Sequence, residues 1–287
     1  MANLKEIRGR ISSISSTMQI TSAMKMVSAA KLKKAQDAIV MLRPYSEKLQ
    51  ELIQNVNANP DPENISVYAQ QRPVKKVLYI VVTSNRGLAG AFNSSVVKEV
   101  TQLIAHQEAA VELLTIGKKG YDSLRKNNNV KKNASAIFDA LNFNNVKEVV
   151  VDVMDQFKRA EYDQVFVVYN KFINAATQEV VTEQVLPIAV SESKSDADNG
   201  TDYLFEPNAK EILNTLIPKS IKTQVFKAVL DSVASEHGAR MTAMHKATDN
   251  AQSLKNDLVI FYNKARQAAI TNEILEIVGG AEALKNG

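Results

Sequence analysis

Few side chains in this 287-residue sequence could do covalent or metal chemistry. There is no cysteine. That excludes disulfides, thiolate zinc sites and a cysteine nucleophile, and it fits a reducing compartment. Only three histidines occur, His106, His237 and His245. The last two are about two helical turns apart, so they share a face but sit too far apart to chelate one metal ion. No histidine can be placed beside a pair of carboxylates. One segment resembles a phosphate cradle, Ser84-Asn-Arg-Gly-Leu-Ala-Gly-Ala91, between an apolar run and a helical pattern. It lacks both G-x-G-x-x-G and G-x-x-x-x-G-K-[ST], and paired glycines at a strand-to-helix turn also serve tight geometry alone. Gly117-Lys-Lys-Gly120 has a lysine pair without the flanking pattern. No catalytic, metal-ligating or cofactor-binding residue is therefore expected, and the residues must be read for the elements they build.

The longest element is C-terminal. From Asn208 to Val278 the pattern is helical, and from Lys219 onward Gly238 is its only Gly or Pro. Helical throughout, it would run about 105 Å at 1.5 Å per residue, too long for a compact domain to wrap. Pro207 and the Asn208…Glu211 spacing mark its start, and Pro218 predicts a kink or short break. Its seam runs through Phe226, Leu230, Val233, His237, Arg240, Met244, Ala247, Ala251, Leu254, Leu258, Phe261, Ala265, Ala268, Asn272 and Leu275. Gly279-Gly280 weakens the end.

Residues 2 to about 57 form a second rod. Leu4, Ile7, Ile11, Ile14 and Met18 step by three and four, as do Ala35, Ala38, Leu42, Tyr45, Leu49, Leu52 and Val56. This is a coiled-coil seam. Counting back from Ala35 in sevens lands on Ser28 and Thr21, so the two registers do not join and a phase slip is expected between them. There the apolar residues of Met18–Leu32 spread around the helix, which predicts burial on more than one side. Pro44 should kink this helix or cost it a hydrogen bond.

Between the rods, residues 57–73 read as a surface connection and residues 74–205 as an α/β domain. Val77–Thr83 is a near-continuous β-branched run, as in a strand buried on both faces. Val111–Ile116 and Gln164–Tyr169 follow as strands, with helices at Asn93–His106, Lys118–Lys126 and about Asn144–Arg159. Alternation of this kind argues for a mainly parallel sheet. Gln178–Pro187 adds an edge segment, and Ser191–Asp202 reads as an acidic loop. Both rods leave this one domain, so they should pair antiparallel, residues 2–57 covering the inner seam of the C-terminal stretch. The expected blocks are 1–57, 74–205 and 208–287.

The net charge is +4, and residues 1–57 carry nine Lys and Arg against four acids. Lys25, Lys31, Lys33 and Lys34 make that segment a solvated basic face or one steered toward an acidic partner. No apolar run is long enough to span a membrane, and the first residues lack the apolar core of a signal peptide.

Three stretches together resemble the gamma subunits of F-type ATP synthases, bacterial type. They are Ile7–Ile11 with Ile20-Thr-Ser-Ala-Met-Lys-Met-Val27 and Ala30–Ala35; Thr83-Ser-Asn-Arg-Gly-Leu-Ala-Gly-Ala-Phe-Asn93; and Ser235–Met244 with Ala247–Asn250 and Tyr262–Val278. The resemblance covers the whole chain in order. It implies a long antiparallel coiled coil with a Rossmann-like, mainly parallel sheet domain inserted between the N- and C-terminal helices. It also implies a non-catalytic central-stalk rotor without cofactors of its own. Its partners would be a ring of alpha and beta subunits, an epsilon subunit and a membrane c-ring, through which proton flow is transmitted to the catalytic beta subunits for ATP synthesis. Membrane contact would be only through that complex, at the cytoplasmic face of a bacterial membrane, with no nucleic acid involved. The inserted cysteine pair of plastid relatives is missing, so thiol regulation is not expected. Carried over by motif, Met24 with its neighbours Lys25 and Met26 would face the beta subunits. Arg240, Gln267, Thr271 and Glu273 would fix shaft to ring or the two helices to each other. Two other classes remain open: a nucleotide-binding α/β enzyme with a coiled-coil dimerisation arm, and a basic coiled-coil nucleic-acid adaptor.

Overall fold

The computed structural model describes residues 4–57, 66–188 and 209–285. Its elements in chain order are α1 (Leu4–Asn57), β1 (Lys76–Val82), α2 (Phe92–His106), β2 (Ala110–Ile116), α3 (Lys118–Leu124), β3 (Val130–Asn133), α4 (Phe143–Lys158), β4 (Gln164–Phe172), β5 (Gln178–Leu186) and α5 (Ala209–Lys285). The acidic loop and the helix-start residues Pro207 and Asn208 lie outside the described residues. By contact the chain divides into two compact units, Met1–Ser28 with Met241–Gly287, and Ala29–Arg240. Each long helix contributes to both.

In the second unit the sheet order is β3-β2-β1-β4-β5. β1 pairs in parallel with β2 and β4, β2 with β3, and β5 closes one edge antiparallel to β4. Side chains alternate along β1 with the period of two that a pleated strand imposes. Leu78, Ile80 and Val82 face one apolar cluster, with α4 and the start of α5; Val77, Tyr79 and Val81 face the other, with α2 and α3. Both faces are covered, which explains the unbroken apolar run. The mainly parallel sheet and the edge position of β5 are as the sequence predicts. β3 is not: Val-Lys-Lys-Asn is exposed except at half-buried Val130, so it carries no burial pattern. Its lysines blunt an open sheet edge.

The first third of α5 departs further from expectation. Leu213, Ile217, Ile221, Val225, Ala228 and Val229 are buried in the cluster that covers the sheet. This part of the rod is sheathed by the α/β core, not by residues 2–57 alone. The helix is also unbroken at Pro218 and runs on through Gly279-Gly280, as α1 runs on through Pro44. Packing of the flanking turns against the sheet holds the helix across the hydrogen bond that Pro218 cannot donate.

In the first unit α1 and α5 pair antiparallel, and three contacts give the register. Arg8 Nη2 donates to Tyr262 Oη at 2.7 Å, Lys255 Nζ reaches Ser15 Oγ at 3.4 Å, and the Thr21 and Thr248 hydroxyls meet at 2.8 Å. Paired positions sum to about 270. Thr21 and Ser28 are themselves buried, their hydroxyls returned to the Met18 and Met24 carbonyls at 3.1 and 2.8 Å. The apparent phase slip is therefore absent: two small polar residues carry one continuous seam. Later in α1, Tyr45, expected inside, is 52% exposed. On α5, Met244, Ala247, Ala251, Leu258 and Ala265 are covered as expected, but Leu254, Phe261, Ala268, Asn272 and Leu275 are exposed and Lys255, Tyr262 and Ala269 take the inner positions. Polar partners from α1 at Ser15 and Arg8 select the lysine and the tyrosine over their apolar neighbours. This register predicts that Thr21→Cys with Thr248→Cys closes a disulfide under mild oxidation, because the two hydroxyls already sit within bridging geometry. Thr21→Cys with Leu254→Cys should not close. The reverse result on non-reducing gels would contradict the register.

Candidate functional site

The phosphate-cradle-like loop follows β1, and its polar atoms are engaged within the chain. The Ser84 amide donates to Asn93 Oδ1 at 2.9 Å and Ser84 Oγ to the Arg86 carbonyl at 2.6 Å. Asn85 donates to the Ser135 carbonyl and accepts from the Lys118 amide, both at 3.0 Å. Arg240 completes the set. Its Nη2 donates to the carbonyls of Arg86 at 3.1 Å and Gly87 at 3.3 Å, and its Nη1 is paired with Glu236 one turn back on α5. Arg240 is 7% exposed, so this is a buried guanidinium with carboxylate and carbonyl partners on both sides.

A nucleotide on an open parallel sheet sits outside the carboxyl ends of the strands where the strand order reverses, here between β1 and β4. α5 fills that place. Ser235 Oγ donates to the Asn170 carbonyl at 3.0 Å, and Asn170 Nδ2 to the Phe92 carbonyl at 3.1 Å. Gly238 lets the β4–β5 turn approach: a β-carbon there would stand 3.2 Å from Ala175 Cα. A cavity of about 250 Å³ remains beside the first turn of α2, and no lysine or arginine lines it. The residues present do not suit a phosphate.

Burial also sets the charges of neighbouring groups. His237 is pushed down to about 4 by burial, then by Arg240 and Lys31. Asp231 is pushed up to about 6, burial outweighing Lys227, Lys171 and Arg43, with Glu183 adding to the rise. Glu236 is raised by burial against the pull of Arg240. The signs oppose. Asp231 keeps a proton in the folded chain that the unfolded chain releases, so its contribution to stability falls as pH rises from about 4 to about 6. His237 stays neutral while the unfolded ring takes up a proton below about 6.5, so its contribution rises with pH over nearly the same window. Wild type should therefore show a shallower pH dependence there than either single variant. Asp231→Asn should gain on the order of 2 kcal/mol at pH 7.5 relative to wild type and little at pH 4. His237→Gln should leave stability falling with rising pH. Urea unfolding across pH 4–8 reads both, and parallel profiles for the two variants would contradict the assignment.

The sequence-predicted residues fall in three places. Met24 and Lys25 are half-buried and Met26 is 65% exposed, all on α1 in the first unit. Gln267, Thr271 and Glu273 are exposed on α5, with Thr271 Oγ1 donating to the Gln267 carbonyl at 3.0 Å. By the antiparallel register Met24 lies level with about Lys246, roughly 30 Å along the helix from Gln267. Arg240 belongs to the second unit and grips the loop, with two backbone carbonyls and Glu236 as its partners. Its loop partners and Asn170 were missed from sequence; an Arg in a seam with Glu four positions earlier was the available signal.

The end of α5 is the most distinctive surface. Leu4 of α1 lies level with about Arg266, and α5 runs on for about 19 residues, roughly 28 Å at 1.5 Å per residue. Ile270, Ile274, Leu275, Ile277, Val278 and Leu284 are exposed there. Among the described residues no group of His, Asp and Glu could hold a metal ion, and no helix is long and apolar enough to cross a membrane.

Residues 3–284 match a family model described as ATP synthase. The chain is 60% identical over 286 residues to the ATP synthase gamma chain of Flavobacterium psychrophilum, covering 99% of this chain and 100% of that one. It is 61% identical to the gamma chain of Flavobacterium johnsoniae, covering 99% of each. Among solved structures, the central stalk and c-ring assembly of Tetrahymena thermophila mitochondrial ATP synthase contains a chain 29% identical to this one. The TM-score is 0.61, over 79% of this chain and 99% of that one. A chain of the Euglena gracilis enzyme, 22% identical with a TM-score of 0.68 over 98% of this chain and 94% of that one, shares the fold. With nearly its full length matched, the chain belongs to the ATP synthase gamma chain family.

Proposed function

We propose that this chain is the turning shaft of an ATP synthase, and that it carries no catalytic groups itself. The observation that carries the reading is the end of α5, a helix that outruns its partner and presents isoleucines, leucines and valine to solvent. Bare apolar surface of this extent marks an interaction site. A ring of alpha and beta subunits enclosing it would supply the missing cover. An asymmetric shaft turning in that ring changes the affinities of successive beta subunits by touching them differently, which is population shift through differential contacts. The torque would come from a c-ring driven by proton flow, with epsilon as a further stalk partner. The complex would hold the chain at the cytoplasmic face of a bacterial membrane. Met24, Lys25 and Met26 on α1, and Gln267, Thr271 and Glu273 on α5, are the proposed contacts with the ring; Arg240 would act on coupling through the loop it holds.

The purified chain should hydrolyse no ATP, yet be required for ATP-driven proton pumping by a reconstituted complex. A complex that pumps equally well without it would overturn the proposal. Micromolar ATP or NAD binding in calorimetric titration of the isolated chain would favour the nucleotide-enzyme alternative. Met24→Lys places a cation on a half-buried site beside exposed Met26. It is expected to lower protons pumped per ATP several-fold, with a change in stability of less than about 1 kcal/mol, as for a partly exposed position. Unchanged pumping with a lowered melting temperature would make Met24 a packing residue.

A further inference from the structure

The groove between α4 and the start of α5 gathers amines. α5 climbs along β4: Gln224 donates to the Gln184 carbonyl at 3.2 Å, opposite Phe166, and Ser235 to the Asn170 carbonyl at 3.0 Å further up the strand. α4 leads into the foot of β4 and so descends, which sets the two helices antiparallel on one face of the sheet. Phe143 and Phe226 meet edge-on across them, ring centres 5.4 Å apart. One turn from that contact on each helix stand Lys147 and Lys222, which therefore face each other. Lys158 of α4 and Lys219, one turn before Lys222, complete the cluster. Lys222 is half-buried and the other three are exposed.

The cluster is short of acids. Asp155 is held by Lys158 at 3.7 Å, and Lys158 also lies over the Tyr68 ring. Among the described residues no carboxylate lies within ion-pair distance of Lys147, Lys219 or Lys222. Burial, then Lys147 and Lys158, with Lys219 adding less, hold the Lys222 ammonium below the usual lysine range against the pull of Asp155. A desolvated lysine beside other cations is an activated nucleophile, because more of it is present as free amine. A groove of ammonium groups also concentrates anions. Both features suit one class of reagent. We propose that Lys222 is a modification site for acyl phosphates: Lys147, Lys158 and Lys219 hold the phosphate while the Lys222 amine takes the acyl group. The neutral Nζ attacks the acyl carbon and an amide C–N bond forms. The C–O bond to the phosphate breaks, and inorganic phosphate leaves with the electron pair. The proton lost by Nζ passes to phosphate or water. No oxidant or further reactant enters, and the groove loses one positive charge.

The test incubates full-length wild type and Lys147→Glu with acetyl phosphate at about pH 7.5, where an ordinary lysine is almost wholly protonated. Mass spectrometry reads the initial acetylation rate at each lysine. Exposed Lys98 on α2, across the sheet, is the reference in the same tube. Lys222 should react about tenfold faster than Lys98, the lower end of the enrichment that a charged groove gives. Lys147→Glu should bring Lys222 close to the Lys98 rate and leave Lys98 unchanged. Added sulfate should slow Lys222 in wild type and spare Lys98. Equal rates at Lys222 and Lys98 in wild type overturn the proposal. A preference for Lys222 that survives both Lys147→Glu and sulfate also overturns it, because the groove would then have no part in selecting a phosphate-bearing reagent.

Discussion

Arg240→Ala is expected to destabilise the chain by about 3–5 kcal/mol in urea unfolding. The loss is not that of a simple salt bridge. Glu236 would remain buried without its partner, and the carbonyls of Arg86 and Gly87 would lose their donor. Leaving a buried charge unpaired costs more than the pair contributes, so Glu236→Leu combined with Arg240→Met should recover most of the loss. Arg240→Lys should recover little, because an ammonium group cannot span Glu236 and two carbonyls as the guanidinium fork does. Because the loop hangs on the same guanidinium, coupled activity should fall in Arg240→Lys even where the chain is folded. A loss below about 1 kcal/mol for Arg240→Ala would mean that this residue is not the link between α5 and the loop.

Gly117→Ala should be of similar size, for a steric reason. Gly117 has φ of 123°, and a β-carbon there would overlap the Thr83 carbonyl and lie 2.6 Å from Thr83 Oγ1. The collision is with backbone that pairs β1 to β2, where the Thr83 amide donates to the Ile116 carbonyl at 2.8 Å. Neither side can yield without parting the strand ends. Backbone strain and overpacking together are expected to cost about 3–5 kcal/mol. Gly9→Ala is the contrasting case. It is exposed in α1 with nothing within 4 Å, so alanine should stabilise by roughly 0.5–1 kcal/mol. Melting curves that show equal effects for the two variants would contradict the close packing at Gly117.

What the sequence could convey follows from how each residue is held. β1, β2 and β4 are legible because burial fills Val77–Val82, Leu113–Ile116 and Val165–Tyr169 with β-branched, apolar or aromatic residues. β3 is not, because two lysines at a sheet edge answer to solvent and not to a core. The partner of early α5 was hidden for a different reason. Leu213, Ile217, Ile221 and Val225 repeat every four residues whether the helix rests on a helix or on a sheet, so periodicity cannot choose between them. The seam was misread where polarity and position conflict. Thr21, Ser28, Lys255 and Tyr262 lie inside because each has a hydrogen-bond partner there, and hydrophobicity alone points to their neighbours. Arg240 was visible as an interruption of the seam, but the carbonyls it serves are more than 150 residues away in sequence, beyond the reach of any spacing argument.

The most direct test of the shaft reading places a single cysteine at Val278, on the exposed end of α5, in this naturally cysteine-free chain. A second cysteine goes on the facing surface of the beta subunits, only one of which carries an epitope tag. Complexes in which the shaft is first bonded to the tagged subunit are isolated, reduced, allowed to turn over ATP and oxidised again. A rotating shaft predicts bonds redistributed over tagged and untagged beta subunits after turnover, and no redistribution when ATP is withheld. Bonds that return only to the tagged subunit after turnover would contradict rotation of this chain.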